Sequence, residues 1–260
     1  TPGAFGMNKQ PILKVTSVAR SFGGIVAVRD VSFELAAGEI VGLIGPNGAG
    51  KTTLINLITG VYPANSGSIV FDGADVTRQK PFQAARRGIA RTFQIVQPFP
   101  EMTVLQNVTA GALFARQSGS IEDAVEESRE HLKFVGLADL AETPAASLTL
   151  PNRKRLELAK SLAMRPRLLL LDEVNAGLNP TEISGALNLI RDISARGITI
   201  VIIEHLMKVV FSLSHRILVL HHGELISGGL PNEVAKDERV VEAYLGSKFA
   251  ERQRSLSTNG

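Results

Sequence analysis

The chain has 260 residues, and 28 basic against 25 acidic side chains leave a formal charge of +3. With 44% hydrophobic and 20% charged residues it is globular, with room for one or two domains and a sizeable core. The absence of cysteine excludes disulfides, thiolate nucleophiles and cysteine-bound zinc together, while a mild basicity with few basic runs suits an anion or a membrane surface better than a nucleic acid.

Thr1–Gly6 shows no basic region followed by an apolar stretch and reads as an addition ahead of Met7. Ile12–Ile44 consists of short β-branched runs broken at Gly23-Gly24 and Ala37-Gly38, a pattern of strands and turns. Within it Glu39–Ile44 reads as a buried strand, and Thr53–Thr59 as a helix ending at Gly60. From about Gln83 to Ala163 the β-branched runs thin out and Ala, Glu, Arg and Leu recur at helical spacing, as in Ile121–Val135, which predicts a helical insertion. Strands and helices then alternate: Arg167–Leu171, Thr181–Arg196, Ile198–Ile203, Leu206–Leu213 and Arg216–Leu220. That alternation predicts a largely parallel sheet covered on both faces. Pro231–Leu245 reads as two short helices and 247–260 as a polar tail, so the chain from 7 to 246 is expected to be one domain. No apolar run reaches the roughly 18–20 residues that span a bilayer.

The strongest motif is G-x-x-x-x-G-K-T at Gly45, Pro46, Asn47, Gly48, Ala49, Gly50, Lys51 and Thr52, followed by Thr53, between a strand and a helix. Glycines let main-chain N–H groups face a phosphate, Lys51 reaches the outer phosphates, Thr52 offers an oxygen to Mg2+, and the helix start favours negative charge. No G-x-G-x-x-G occurs, which excludes a dinucleotide-binding loop. A second acidic motif follows four leucines, Leu168–Leu171: Asp172 stands next to a metal's water shell and Glu173 is the candidate base for an attacking water. His205 follows another buried strand, where it can be structural or can donate to a γ-phosphate. Gln94, in Arg91-Thr92-Phe93-Gln94, is an ordinary loop glutamine unless its place between the two phosphate motifs gives it a role. No Asn-Lys-x-Asp base-reading motif is present, which disfavours a GTPase.

Taken together these motifs resemble the nucleotide-binding subunit of ATP-binding cassette (ABC) transporters over Ile12–Gly246. The resemblance implies an α/β P-loop NTPase fold with a mostly parallel core sheet, an antiparallel N-terminal β part and a helical subdomain. It implies that ATP and Mg2+ are bound, with Gln94 and Asp172 beside Thr52 at the metal and Gln94, Glu173 and His205 at the reacting phosphate. It also implies that Phe22 stacks on adenine, that Leu148–Asn152 is the signature region with Thr149 and Asn152 on nucleotide, and that Ala176–Asn179 is the D-loop. The expected partners are a second ATPase subunit in a head-to-tail dimer, transmembrane permease subunits and, indirectly, a solute-binding protein, with the chain peripheral on the cytoplasmic face of the plasma membrane. The end of the chain, Gly228–Val234 with Val241–Gly246, is similar to branched-chain amino acid uptake ATPases. Repair proteins of the family would carry a coiled-coil insertion and translation proteins two cassettes, and this chain has room for neither.

Two departures stand out: Leu148-Thr149-Leu150-Pro151-Asn152 replaces the usual Leu-Ser-Gly-Gly-Gln, and Asn179 replaces the D-loop aspartate. Pro151 has no N–H to offer a phosphate. Either change could slow hydrolysis or be a tolerated variant, with Glu173 and His205 both retained. Ile95–Pro100 reads either as an ordinary buried loop or as part of a groove for a permease helix.

Overall fold

The computed structural model describes residues 10–92, 98–115, 119–204 and 206–245. Gln94, Ile95–Gln97, His205 and the polar tail lie outside the described residues.

Strands β1 (Leu13–Phe22) and β2 (Ile25–Leu35) form an antiparallel hairpin across Gly23-Gly24. β3 (Ile40–Ile44), buried along its whole length, leads through the glycine-rich loop into α1 (Lys51–Ile58). β4 (Ser66–Phe71) returns antiparallel to β1 and is edged by β5 (Ala74–Asp75). Next come α2 (Pro81–Arg86), β6 (Ile89–Arg91), and the helices α3 (Val104–Ala115), α4 (Ile121–Phe134) and α5 (Leu150–Ala163). β7 (Leu168–Asp172), α6 (Pro180–Ala195), β8 (Thr199–Ile203), α7 (Met207–Leu213) and β9 (Arg216–His221) then alternate. β10 (Glu224–Gly229), α8 (Pro231–Val234) and a helical stretch over 238–245 complete the described chain.

Two sheets result, ordered β2-β1-β4-β5 and β10-β9-β3-β8-β7-β6. In the second, β6, β7, β8, β3 and β9 are parallel neighbours and only β10 runs against them. The four leucines of β7 show why that sheet is apolar throughout: Leu169 and Leu171 enter the core shared with α3–α6, while Leu168 and Leu170 enter the core shared with α1 and the antiparallel sheet. Parallel strands bring their C-terminal ends to one edge, where ligands of open α/β sheets bind. Here that edge gathers Gly45, Thr92, Glu173 and Glu204.

The sequence expectations need three corrections. Ile89–Arg91 lies inside the stretch expected to be helical but is a strand on β7; three residues carry no readable period, and only the partner strand defines them. β10 was not foreseen because Gly228-Gly229 interrupts its apolar pattern, and its pairing with β9 supplies what the local sequence lacks. α1 begins at Lys51, two residues earlier than expected, because Gly50 in a left-handed conformation (φ 100) turns the loop directly into the helix.

Candidate active site

Two of the loop glycines admit no other residue. A β-carbon on Gly45 (φ 154) would lie 2.1 Å from the Leu220 carbonyl oxygen, and one on Gly50 would lie 2.4 Å from that of Ala27. Neighbouring backbone encloses the loop in this way, and the Gly223 N–H donates to Ala49 O at 2.9 Å. Inside it the Lys51 ammonium donates to the carbonyls of Gly45 (2.7 Å) and Pro46 (3.1 Å). Burial lowers the pKa of Lys51, while the charges of Glu173 and then Asp172 oppose that shift. A nearly buried ammonium held only by carbonyls favours an incoming anion.

At the end of β7 the Asp172 carboxylate is buried against Arg91, 2.7 Å away. The same guanidinium donates to Asn56 Oδ1 at 2.6 Å, so Arg91 ties β7 to α1. Thr92 Oγ accepts from the Asp172 N–H at 3.2 Å. Glu173 follows in the left-handed region (φ 50), its N–H donating to Ile203 O of β8 at 2.9 Å. Lys51, Thr52, Asp172 and Glu173 together line one open cleft of about 290 Å³, walled by Ile25, Val26 and Ala27 of β2.

Of the expected nucleotide-binding residues, Asn47 through Thr53 line this cleft, and Gly45 and Pro46 stand behind it as acceptors for Lys51. Phe22 does not line it. Its ring meets Tyr62 edge-on at 5.0 Å, and the Arg20 guanidinium sits 4.6 Å above it. Thr149 and Asn152 are also absent from the lining, at the beginning of α5. Gln94 and His205 fall outside the described residues. The available donors, a hydroxyl and two carboxylates, are hard oxygens that fit Mg2+ held largely by phosphate and water. Among the described residues no three His, Cys, Asp or Glu side chains form a metal cage.

The two departures fit locally. Thr149 is the N-cap of α5 and Pro151 stands in its first turn, where the helix itself uses no N–H. Asn179 caps α6: its Oδ1 accepts from the N–H groups of Thr181 and Glu182, both at 3.0 Å, and its own N–H donates to Glu182 at 2.8 Å. Asn performs that capping as well as Asp.

Sequence reasoning overlooked Arg91 with Asn56, and also a second buried carboxylate. Glu204 is 4% exposed, and both the N–H (3.0 Å) and Nδ2 (2.9 Å) of Asn175 donate to its Oε1. Burial raises the Glu204 pKa, against those bonds and the Lys154 ammonium. Arg91 had one signal, its place just ahead of Thr92; Glu204 and Asn175 had none, because their partnership joins different strands.

The family model described as ABC transporter matches residues 28–176, and that described as branched-chain amino acid ATP-binding cassette transporter matches residues 224–250. Over 251 residues the chain is 37% identical to BraF, a high-affinity branched-chain amino acid transport ATP-binding protein of Pseudomonas aeruginosa, a match spanning 91% of this chain and 98% of that protein. It is 36% identical over 238 residues to LptB, the lipopolysaccharide export system ATP-binding protein of Acidithiobacillus ferridurans, spanning 92% and 98%. Among solved structures, the ADP conformation of MJ1267, an ATP-binding cassette of an ABC transporter, superposes with a TM-score of 0.84 at 33% identity, covering 92% of this chain and all of that one.

Proposed function

The chain belongs to the ABC transporter ATP-binding family, and from that premise we propose that it powers uptake of branched-chain or other hydrophobic amino acids through a membrane permease. It is an ABC ATPase. The observation that carries the chemistry is one cleft lined by both the Lys51 loop and the Asp172-Glu173 strand end.

In that cleft the loop N–H groups and Lys51 bind the phosphates of ATP, and the start of α1 adds its partial positive charge. Glu173 takes the proton of the attacking water. Mg2+, when bound through Thr52 and Asp172, supplies charge neutralisation on the phosphates. Arg91 keeps the Asp172 carboxylate in place while tied to α1. Thr149, Asn152 and the first turn of α5 serve a nucleotide held by a second subunit, head to tail, which agrees with their lying away from their own chain's cleft. Gln94 and His205, outside the described residues, are assigned to the reacting phosphate by the family resemblance alone, and Phe22 or the exposed Ile25 and Val26 meet the base.

The permease side falls on α2, α3 and the loop between β6 and α3. Phe82, Phe99, Leu113 and Phe114 are exposed there, with Arg86 5.8 Å from the rings of both Phe82 and Phe114. Phe99, 54% exposed, is held outward by the fully buried Asn107, whose Oδ1 accepts from the Phe99 N–H (2.8 Å) and whose Nδ2 donates to its carbonyl (3.1 Å). An apolar patch fixed from beneath is suited to a partner. No described helix is long and apolar enough to cross a membrane; the likeness to transport ATP-binding proteins supports a peripheral position on the cytoplasmic face of the membrane.

The cargo rests on the match at residues 224–250. The likeness to LptB favours a second reading, the same engine driving another solute, because the two identities differ by one percentage point. Reconstitution with the permease genes adjacent to this gene decides: labelled leucine uptake dependent on ATP is expected, and its absence in an ATP-hydrolysing complex contradicts the cargo. Phe99→Asp should abolish uptake and co-purification with the permease while the isolated chain hydrolyses ATP normally; persistence of both moves the docking surface elsewhere.

A further inference from the structure

Glu173 occupies the left-handed region (φ 50) without being a glycine, a strained conformation that persists only where the surroundings impose it. On the sheet side those surroundings are plain: the Glu173 N–H is taken by Ile203 O, and Asn175, two residues on, is fastened through its N–H and Nδ2 to Glu204. On the other side the Glu173 carbonyl accepts from the Lys154 ammonium at 3.2 Å. Lys154 belongs to α5, on the helical side of the core, and sits close enough to the Glu204 and Glu173 carboxylates to feel both charges. Burial disfavours its charged form, so a solvent-facing lysine would be cheaper unless the contact serves a purpose.

We propose that Lys154 is a positioning residue that ties the strained Glu173 backbone to α5 of the same chain, so that the glutamate is aimed into the cleft only when the helical layer is docked on β7. The inference rests on the reading of Glu173 as the base. It gives α5 two roles, since its first turn faces outward to another subunit's nucleotide while its fifth residue adjusts the catalytic carboxylate of its own chain.

The test is steady-state ATP hydrolysis and nucleotide affinity of the full chain. Lys154→Met keeps the aliphatic stem and removes the donor; kcat should fall by about tenfold while KM and nucleotide Kd stay within about twofold. Lys154→Arg, which restores a cationic donor, should recover most of the rate. In a Glu173→Gln background, Lys154→Met should cause no further loss, since it acts through Glu173. An unchanged kcat in Lys154→Met, an equal fall with and without Glu173, or a loss of affinity as large as the loss of rate overturns the inference while leaving the base reading intact. A Glu173→Gln variant that turns over at the normal rate removes the base reading, and the inference with it.

Discussion

Two helix beginnings are assigned to nucleotide in the proposed account, α1 to the chain's own and α5 to a second subunit's, and they are built by opposite means. α1 starts from Gly50 in the left-handed region, inside a loop pressed against the backbone of Ala27, Leu220 and Gly223. α5 starts from Thr149 in an extended conformation, with Leu150 44% exposed, Pro151 in its first turn and no side-chain cap. Ahead of α1, Gly45 and Gly50 are dictated by the backbone of their own chain, whereas in the proposed account the start of α5 answers to a second subunit.

The comparison breaks first at Gly50. Gly50→Ala sets a β-carbon against the Ala27 carbonyl at a strained φ, and should cost more than about 4 kcal/mol in urea unfolding and abolish nucleotide binding. A tolerated alanine there would remove the distinction drawn above. Arg91→Ala leaves the buried Asp172 carboxylate without the ion pair that links β7 to α1. It should destabilise the chain by about 3 kcal/mol, read by the same unfolding. At the other helix start, Pro151→Ala should change unfolding free energy by less than about 0.5 kcal/mol, because the first turn of a helix uses no N–H of its own. The new N–H should instead strengthen ATP-driven dimerisation by about 0.5–1.5 kcal/mol, measured by sedimentation; a large stability change with no effect on dimerisation would mean that the turn serves its own chain. The smallest effect at neutral pH lies behind the phosphate loop, where burial raises the Tyr244 phenol to a pKa of about 12, against a hydrogen bond from the Gly45 backbone that lowers it. A tyrosine whose folded pKa exceeds its unfolded value of 10.0 contributes stability that is complete below pH 10 and is lost as pH rises to about 12. Tyr244→Phe should flatten that alkaline loss relative to the parent chain and leave unfolding below pH 9 nearly unchanged.

The same contrast explains what was legible in the sequence. Gly45–Thr52 and Leu168–Glu173 could be read because their meaning is local: a glycine that must turn, a strand apolar on both faces, carboxylates at its end. Arg91 between Asn56 and Asp172 and Glu204 on Asn175 were not, because each is defined by a partner distant in sequence, and Asn107 beneath Phe99 was not, because a loop and a helix start meet there without any readable period. β6 was missed for the same reason, its partner β7 lying far along the chain, while β10 pairs with the adjacent β9 but carries two glycines that hide its strand pattern. The sequence leaves open whether Pro151 and Asn179 slow hydrolysis or are tolerated variants. In place, one costs the helix nothing and the other caps it as an aspartate would.

The central claim, that Glu173 activates water in the cleft bounded by the Lys51 loop, is tested most directly by single-turnover hydrolysis of radiolabelled ATP by the full-length Glu173→Gln chain. The account predicts ATP bound with parent affinity, hydrolysis slowed by on the order of 10² or more, and uncleaved nucleotide retained in a dimer. Hydrolysis at the parent rate with ATP equally well bound would contradict it.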